Sequence, residues 1–362
     1  MASKWITLSR RNSEFNSYLD GSFSCEERAL PVRSLNVDSV SEEVTFEIVP
    51  VHSISLPGLS EIVWSLLRPP TLVLSLGPML ATWLFCLARG ENVNGVFAVL
   101  SLLGVLCFHS SMNLFNDYFD HMKGRDRLRA RISRRAIQKG WVRAQQVKYA
   151  AWGLSGVAIL CGLPAIAMHF APLAFIAFLA ALAGVEFAFQ RLGLKERGFA
   201  EILAFILTGP LLTVGFAWAV AGSAVFADAV LGVVFGSISL LYFHLVNFES
   251  IMADDQAGVR TWATRAGFDA SKTFFVLMAT VVVGSTATFM MLFFHDWRLL
   301  PVFGTQIFFL LPLSRRVMSL ASPLSSRLRG ICIEGLKLSW LTLVVLAVAF
   351  LGLIVRSTLG PV

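Results

Sequence analysis

Five polar residues, His109, Asn113, Asn116, Asp117 and Asp120, interrupt or end an apolar stretch at successive offsets of four, three, one and three. On a helix those offsets gather all five on one face. The polar run continues into His121, Lys123, Gly124, Arg125 and Asp126. A second group repeats the theme: Asn247, Ser250 and Asp254 share a face by the same arithmetic, and Asp255 flanks them. In each group an Asp precedes a Gly by four residues (Asp120 and Gly124, Asp254 and Gly258), with Arg125 or Arg260 close behind. Carboxylates and amides beside a membrane span are costly, so they mark a functional site.

The chemistry these groups suit is metal-assisted handling of a diphosphate. Mg2+ prefers oxygen ligands and takes one or two protein carboxylates together with phosphate oxygens and water. The candidate metal ligands are Asp117, Asp120, Asp126, Asp254 and Asp255. Lys123, Arg127, Arg134, Arg135, Lys139, Lys195, Arg197 and Arg260 are the cations available to neutralise phosphate charge, Arg as a bidentate fork and Lys as a point charge. A cation that stabilises a departing diphosphate acts as a Lewis acid. Departure from an allylic chain leaves a carbocation, which aromatic faces stabilise. The 30 Phe residues decide little here, because aromatics are also ordinary lipid-facing filler.

The elements that must hold these residues are apolar helices. Hydrophobic residues make up 56% of the chain and charged ones only 15%, too little polar surface to clothe a water-soluble globule. Apolar blocks fall at about 71–89, 95–119, 147–168, 171–190, 199–221, 227–248, 273–294, 299–313 and 337–356. Blocks of this length suit helices that cross the hydrocarbon layer. The expected fold is an all-α transmembrane bundle of about nine helices around a central polar and apolar cavity. The net charge of +7 does not point to nucleic acid, because the basic residues crowd a few connections. Ten lie between Lys123 and Lys148, and the side opposite carries only Arg89, Arg298 and Arg356. That bias places the amino terminus in the cytoplasm. The five cysteines show neither disulfide nor zinc spacing.

Residues 1–60 form a different zone, expected to be a flexible cytoplasmic extension with one short strand at Val44–Val49; residues 61–362 form the transmembrane domain. Asp228, Asp296 and Glu334 read as solvated interfacial charges, and His109 as a hydrogen-bonding residue. Glu201 is either a helix cap or support for the site. Glu186 lies within a span with no evident partner.

With these residues in hand, the chain resembles the UbiA superfamily of intramembrane prenyltransferases. It is most similar to the branch that prenylates 1,4-dihydroxy-2-naphthoate in menaquinone synthesis. The resemblance rests on Asn113-Leu-Phe-Asn116-Asp117-Tyr-Phe-Asp120-His-Met-Lys-Gly124-Arg-Asp126, on Ala136 to Val147, on Trp64 to Pro69, and on Leu194 to Glu201 followed by Gly209-Pro210. It implies a Mg2+-dependent enzyme of a bacterial cell membrane, with a polyprenyl diphosphate and an aromatic acceptor as substrates and the lipid bilayer as surroundings. It assigns catalysis to Asp117, Asp120 and Asp254. Substrate binding falls to Asn113, Asn116, Lys123, Arg134, Lys139, Lys195, Arg197, Asn247 and Arg260. The second motif of the family has two acids four residues apart, whereas this chain has Ser250 before Asp254. Rival readings are a prenyltransferase for 4-hydroxybenzoate or another phenol, a transporter, and a non-catalytic relative. Transporter sites lie near the bilayer midplane, whereas both polar groups here sit at the ends of their spans.

Overall fold

A computed structural model describes residues 4–32, 43–124, 126, 135–189, 194, 197–256, 258–293 and 300–359. Every apolar block is helical. α3 (Val73–Ala88), α4 (Gly95–Met122), α5 (Ala144–Met168), α6 (Phe170–Phe189), α9 (Phe226–Glu249), α12 (Phe268–Phe293), α13 (Leu300–Met318) and α14 (Arg327–Leu359) each take one block. The block at 199–221 is divided into α7 (Ala200–Thr208) and α8 (Pro210–Ala221). Among the described residues seven helices are long and apolar enough to cross a membrane, not the nine expected. The difference lies in α6, of which 17 apolar residues, Phe170–Glu186, qualify, and in α13, which ends in Arg315 and Arg316.

α9 is the central helix. Leu231, Val234, Phe235, Ile238, Leu241, Leu245 and Phe248 are buried along it, against α3, α7, α8, α12 and α14. α5 and α6 form the outer wall and leave Ile159, Leu160, Phe175 and Phe178 exposed, as befits side chains that face lipid. Lipid tails are as apolar as these side chains, so close packing and interhelical hydrogen bonds hold such helices together. The tightest approach is at the α7–α8 break. A Cβ at Gly236 would come within 2.7 Å of the Phe205 carbonyl oxygen, and one at Gly209 within 2.6 Å of the Gly232 carbonyl oxygen. Pro210 starts α8 where its missing N–H costs no helical bond. Polar pairs cross between helices: Ser111 with Ser155 at 2.7 Å, Thr208 with Ser239 at 2.6 Å and Gln306 with Thr342 at 2.9 Å.

The amino-terminal segment holds more strands than the one expected of it. β1 (Lys4–Ser9), β2 (Glu27–Pro31) and β3 (Glu43–Pro50) form an antiparallel sheet in the order β1-β3-β2. β3 alternates Val44, Phe46 and Ile48 inward, and they bury against Phe15 and Leu19 of α1 (Phe15–Asp20). Met122 at the end of α4 completes this small core. The sequence shows the alternation, but not the helix end that covers it. Asp228 is also corrected. It is fully buried and binds Arg89 through two contacts, Nη1 to Oδ1 at 3.0 Å and Nη2 to Oδ2 at 3.2 Å. The two residues are 139 positions apart, which hides the pairing from the sequence. Glu334, in contrast, pairs with Arg316. Asp296 lies outside the described residues.

Candidate functional site

The last turns of α4 carry the first acidic group. Asp117 and Asp120 are buried, at 1% and 0% exposure. Arg135, just beyond the connection that follows α4, gathers the acids through one atom. Its Nη1 lies 2.7 Å from Asp117 Oδ1, 3.4 Å from Asp120 Oδ2 and 3.4 Å from Asp126 Oδ1. Burial alone would lower the guanidinium's pKa, but the charges of Asp117, Asp126 and Asp120 outweigh it and hold the value above the ordinary one. Asn116 Nδ2 donates to Asp120 Oδ2 at 3.2 Å, one helical turn along.

A second guanidinium reaches the same oxygen of Asp117. Arg68 stands between α2 (Leu59–Leu67) and the short 3-10 turn of Pro69–Leu72 that leads into α3. Its φ of 53° makes it the one described non-glycine residue with positive φ, and such a conformation persists only where its surroundings impose it. The Arg68 N–H closes α2 onto the Trp64 carbonyl at 3.1 Å, while its Nη2 binds Asp117 Oδ1. Asn113, expected to meet substrate, uses its amide otherwise. Nδ2 donates to the Leu67 carbonyl at 3.1 Å and faces Thr71 Oγ1 at 3.3 Å, fixing the turn that presents Arg68. His109 is a hydrogen-bonding residue, 2.7 Å from Ser75 Oγ.

The second group sits where α9 ends. Ser250 terminates α9, and a short helix, α10 (Ile251–Gln256), restarts at once. Ser250 Oγ donates to Asp254 Oδ2. Asp254 is buried, but Asp255 is exposed, so the two neighbouring acids do not share one environment. Asn247 donates to Glu201 Oε1 on α7 at 2.6 Å. This makes buried Glu201 a support for the site rather than a simple cap. Glu186 also gains a partner, the Leu194 N–H at 2.7 Å. The tip of the 194–199 connection meets the segment after α10: a Cβ on Gly198 would lie 2.9 Å from Trp262 Cδ1. Tyr242 and Phe243 of α9 pack on Val73 and Leu74 at the start of α3. Both acidic groups therefore lie at the same end of the bundle, with the start of α3 against α9 and Arg68 against Asp117.

Among the expected cations, Arg197 and Arg260 are exposed, Lys123 is half-buried, and Lys139 lies 4.0 Å over the Trp141 ring. Arg125, Arg127, Arg134 and Lys195 lie outside the described residues. Sequence reasoning missed Arg68 as a site residue and placed Arg135 only among many cations. An Arg directly before Pro69-Pro70 was the one available signal, because it marks a forced turn beside a membrane span.

The donors at the first group are all oxygens, which suits a hard divalent cation such as Mg2+. Asp117 Oδ2 is buried with no hydrogen-bond partner among the described residues, an acceptor that an added cation would satisfy. These residues fit the metal. Arg135 draws the carboxylates together here, and among the described residues no three His, Cys, Asp or Glu groups form a ligating cluster.

Fold and site together describe a polytopic helical membrane protein with buried acids and guanidinium groups collected at one end of the bundle. The chain belongs to the UbiA prenyltransferase family, which it matches over residues 75–329, and that membership makes it an integral membrane transferase. It is similar to a 1,4-dihydroxy-2-naphthoate octaprenyltransferase of Haemophilus influenzae, at 27% identity over 230 residues, 60% of this chain and 73% of the relative. The fold is shared with a UbiA homologue of Archaeoglobus fulgidus solved with GPP and Mg2+, with a TM-score of 0.60 at 15% identity. That likeness covers 80% of this chain and 99% of the homologue. A structure of digeranylgeranylglyceryl phosphate synthase matches at a TM-score of 0.57 and 15% identity, covering 81% of this chain and 99% of that one.

Proposed function

We propose that the chain transfers a polyprenyl group from its diphosphate to 1,4-dihydroxy-2-naphthoate, the prenylation step of menaquinone synthesis. The observation that carries this reading is the convergence of Asp117, Asp120 and Asp126 on Arg135, with Arg68 on the same Asp117 oxygen, Oδ1. Three acids beside two fixed guanidinium groups suit a ligand that brings both divalent cations and phosphate oxygens. The likeness to the naphthoate octaprenyltransferase supports the acceptor. Relatives solved with Mg2+ together with GPP or DMAPP support the metal and the donor class.

In this reading Asp117, Asp120 and Asp126 hold Mg2+ at the first group, and Asp254 with Asp255 at the second. The bound metal supplies Lewis acidity toward the departing diphosphate. Arg68 and Arg135 orient phosphate oxygens through planar forks. Lys123, Arg134, Lys139, Lys195, Arg197 and Arg260 add positive charge for the diphosphate. Asn113 and Asn247 position Arg68 and Glu201 rather than touch substrate, and Asn116 steadies Asp120. The protein lies in a bacterial cell membrane with its amino terminus in the cytoplasm.

Product mass spectrometry tests this. Membranes containing the full chain are given several prenyl diphosphates with either 1,4-dihydroxy-2-naphthoate or 4-hydroxybenzoate. The expected product is the prenylated naphthoquinol, with loss of the carboxylate. Exclusive prenylation of 4-hydroxybenzoate would overturn the acceptor, and no prenylated product with any pair would overturn the reaction.

A further inference from the structure

The amino-terminal sheet precedes the span matched by the family, yet a directed chain of hydrogen bonds leads from α1, which packs on it, into the acidic group. His121 Nε2 lies 2.8 Å from the Leu19 carbonyl oxygen. A carbonyl only accepts, so Nε2 carries the proton and Nδ1 presents its lone pair. Nδ1 then accepts from Gln138 Nε2 at 3.2 Å. The other hydrogen of the same amide goes to Asp126 Oδ2 at 2.8 Å. Asp126 Oδ1 in turn faces Arg135 Nη1, the atom that also holds Asp117 and Asp120. Both amide hydrogens of Gln138 are used in this way, one on the imidazole and one on the carboxylate, while its Oε1 is buried with no hydrogen-bond partner among the described residues.

Other contacts anchor the sheet at the same place. Met122, adjacent to His121, packs into the core of Phe15, Leu19, Val44, Phe46 and Ile48. Arg143 Nη2 donates to the Cys25 carbonyl at 3.2 Å. Gly21, in the left-handed conformation at φ 80°, lets the chain turn after Leu19 while passing the Arg143 side chain, which a Cβ would meet at 3.2 Å. The sheet is thus fixed on both sides of the connection that carries Asp126.

We propose that the amino-terminal sheet is a positioning element of the acidic group. Leu19, His121 and Gln138 are positioning residues: they set where Asp126 stands, and through Arg135 the spacing of the carboxylates that receive the diphosphate. The ligand named here rests on the reading under Proposed function, whereas the mechanical link does not.

The test uses the full-length protein in detergent with three variants. Phe46→Ala loosens the sheet core without touching the acids. Gln138→Glu keeps the shape of the side chain but removes both amide donors and puts a carboxylate beside Asp126. Phe350→Ala, in the bundle core, controls for general loss of stability. Amide hydrogen exchange is followed at residues 135–139, and KM for prenyl diphosphate separately from kcat. Exchange at 135–139 should accelerate in Phe46→Ala and Gln138→Glu but not in Phe350→Ala. Phe46→Ala should also raise KM about tenfold with kcat held within about twofold, the size and pattern of a lost supporting contact. The proposal is overturned if Phe46→Ala changes neither exchange nor KM, or if all three variants shift alike. The exchange result decides the link even where wild-type protein transfers no prenyl group, a result that would fail the functional reading instead.

Discussion

Replacing Arg135 by Met would show how far the acidic group depends on an internal cation. The guanidinium is 12% exposed and contacts Asp117, Asp120 and Asp126, whose side chains are 1%, 0% and 5% exposed. Removing one partner of a buried ion pair costs about 3–5 kcal/mol, because the other charge stays buried. Two of the three contacts are long, at 3.4 Å, and Arg68 still partners Asp117, so the lower end applies, about 3 kcal/mol. That equals a roughly hundredfold larger unfolded fraction. Denaturant unfolding of the detergent-solubilised protein, followed by tryptophan fluorescence, reads the loss. The decisive step is adding Mg2+. A divalent cation replaces the missing charge, so the variant should recover most of its stability, while the wild type, with Arg135 in place, gains less. Arg135→Lys, which keeps charge but not the fork, should fall between them. A variant as stable as the wild type, or a loss that Mg2+ leaves untouched, would refute the reasoning.

Ser250→Asp places a second carboxylate one turn before Asp254, so metal-free protein should lose stability by like-charge repulsion. The Mg2+ concentration for half-maximal prenyl transfer should fall, and an unchanged metal titration would count against a role for that position. Asp228→Ala leaves Arg89 without its buried partner at the opposite end of α9, but Glu91 stays 2.9 Å away, so the loss in unfolding experiments should sit at the lower end, about 3 kcal/mol. KM for prenyl diphosphate should hold at the wild-type value, because the pair is remote from the acidic group.

The parts of this structure legible in the sequence were those set by local pattern. The nine apolar blocks became helices because burial within lipid requires long uninterrupted apolar runs with internally satisfied backbones. The α4 stripe was legible because helical periodicity alone puts Asp117 and Asp120 on one face. What escaped depended on partners far apart in the chain. Arg68 and Asp117 are 49 positions apart, Asn247 and Glu201 are 46 apart, and His121 meets Leu19 from 102 away. The helical arithmetic for Asn247, Ser250 and Asp254 held only in part. Ser250 does contact Asp254, but the helix breaks at Ser250 and Asn247 turns to α7. The sheet was underestimated because a single alternating segment, Val44 to Ile48, says nothing about the helix end that buries it.

The central claim is that the acids of α4 carry metal-dependent prenyl transfer. The direct measurement follows label from a radioactive polyprenyl diphosphate into 1,4-dihydroxy-2-naphthoate, using membranes with wild-type protein or the Asp117→Asn, Asp120→Asn double variant, with Mg2+ or with EDTA. The account predicts labelled product from wild type with Mg2+, and none from the double variant or after chelation. Equal product from the double variant, at equal protein level, would contradict it.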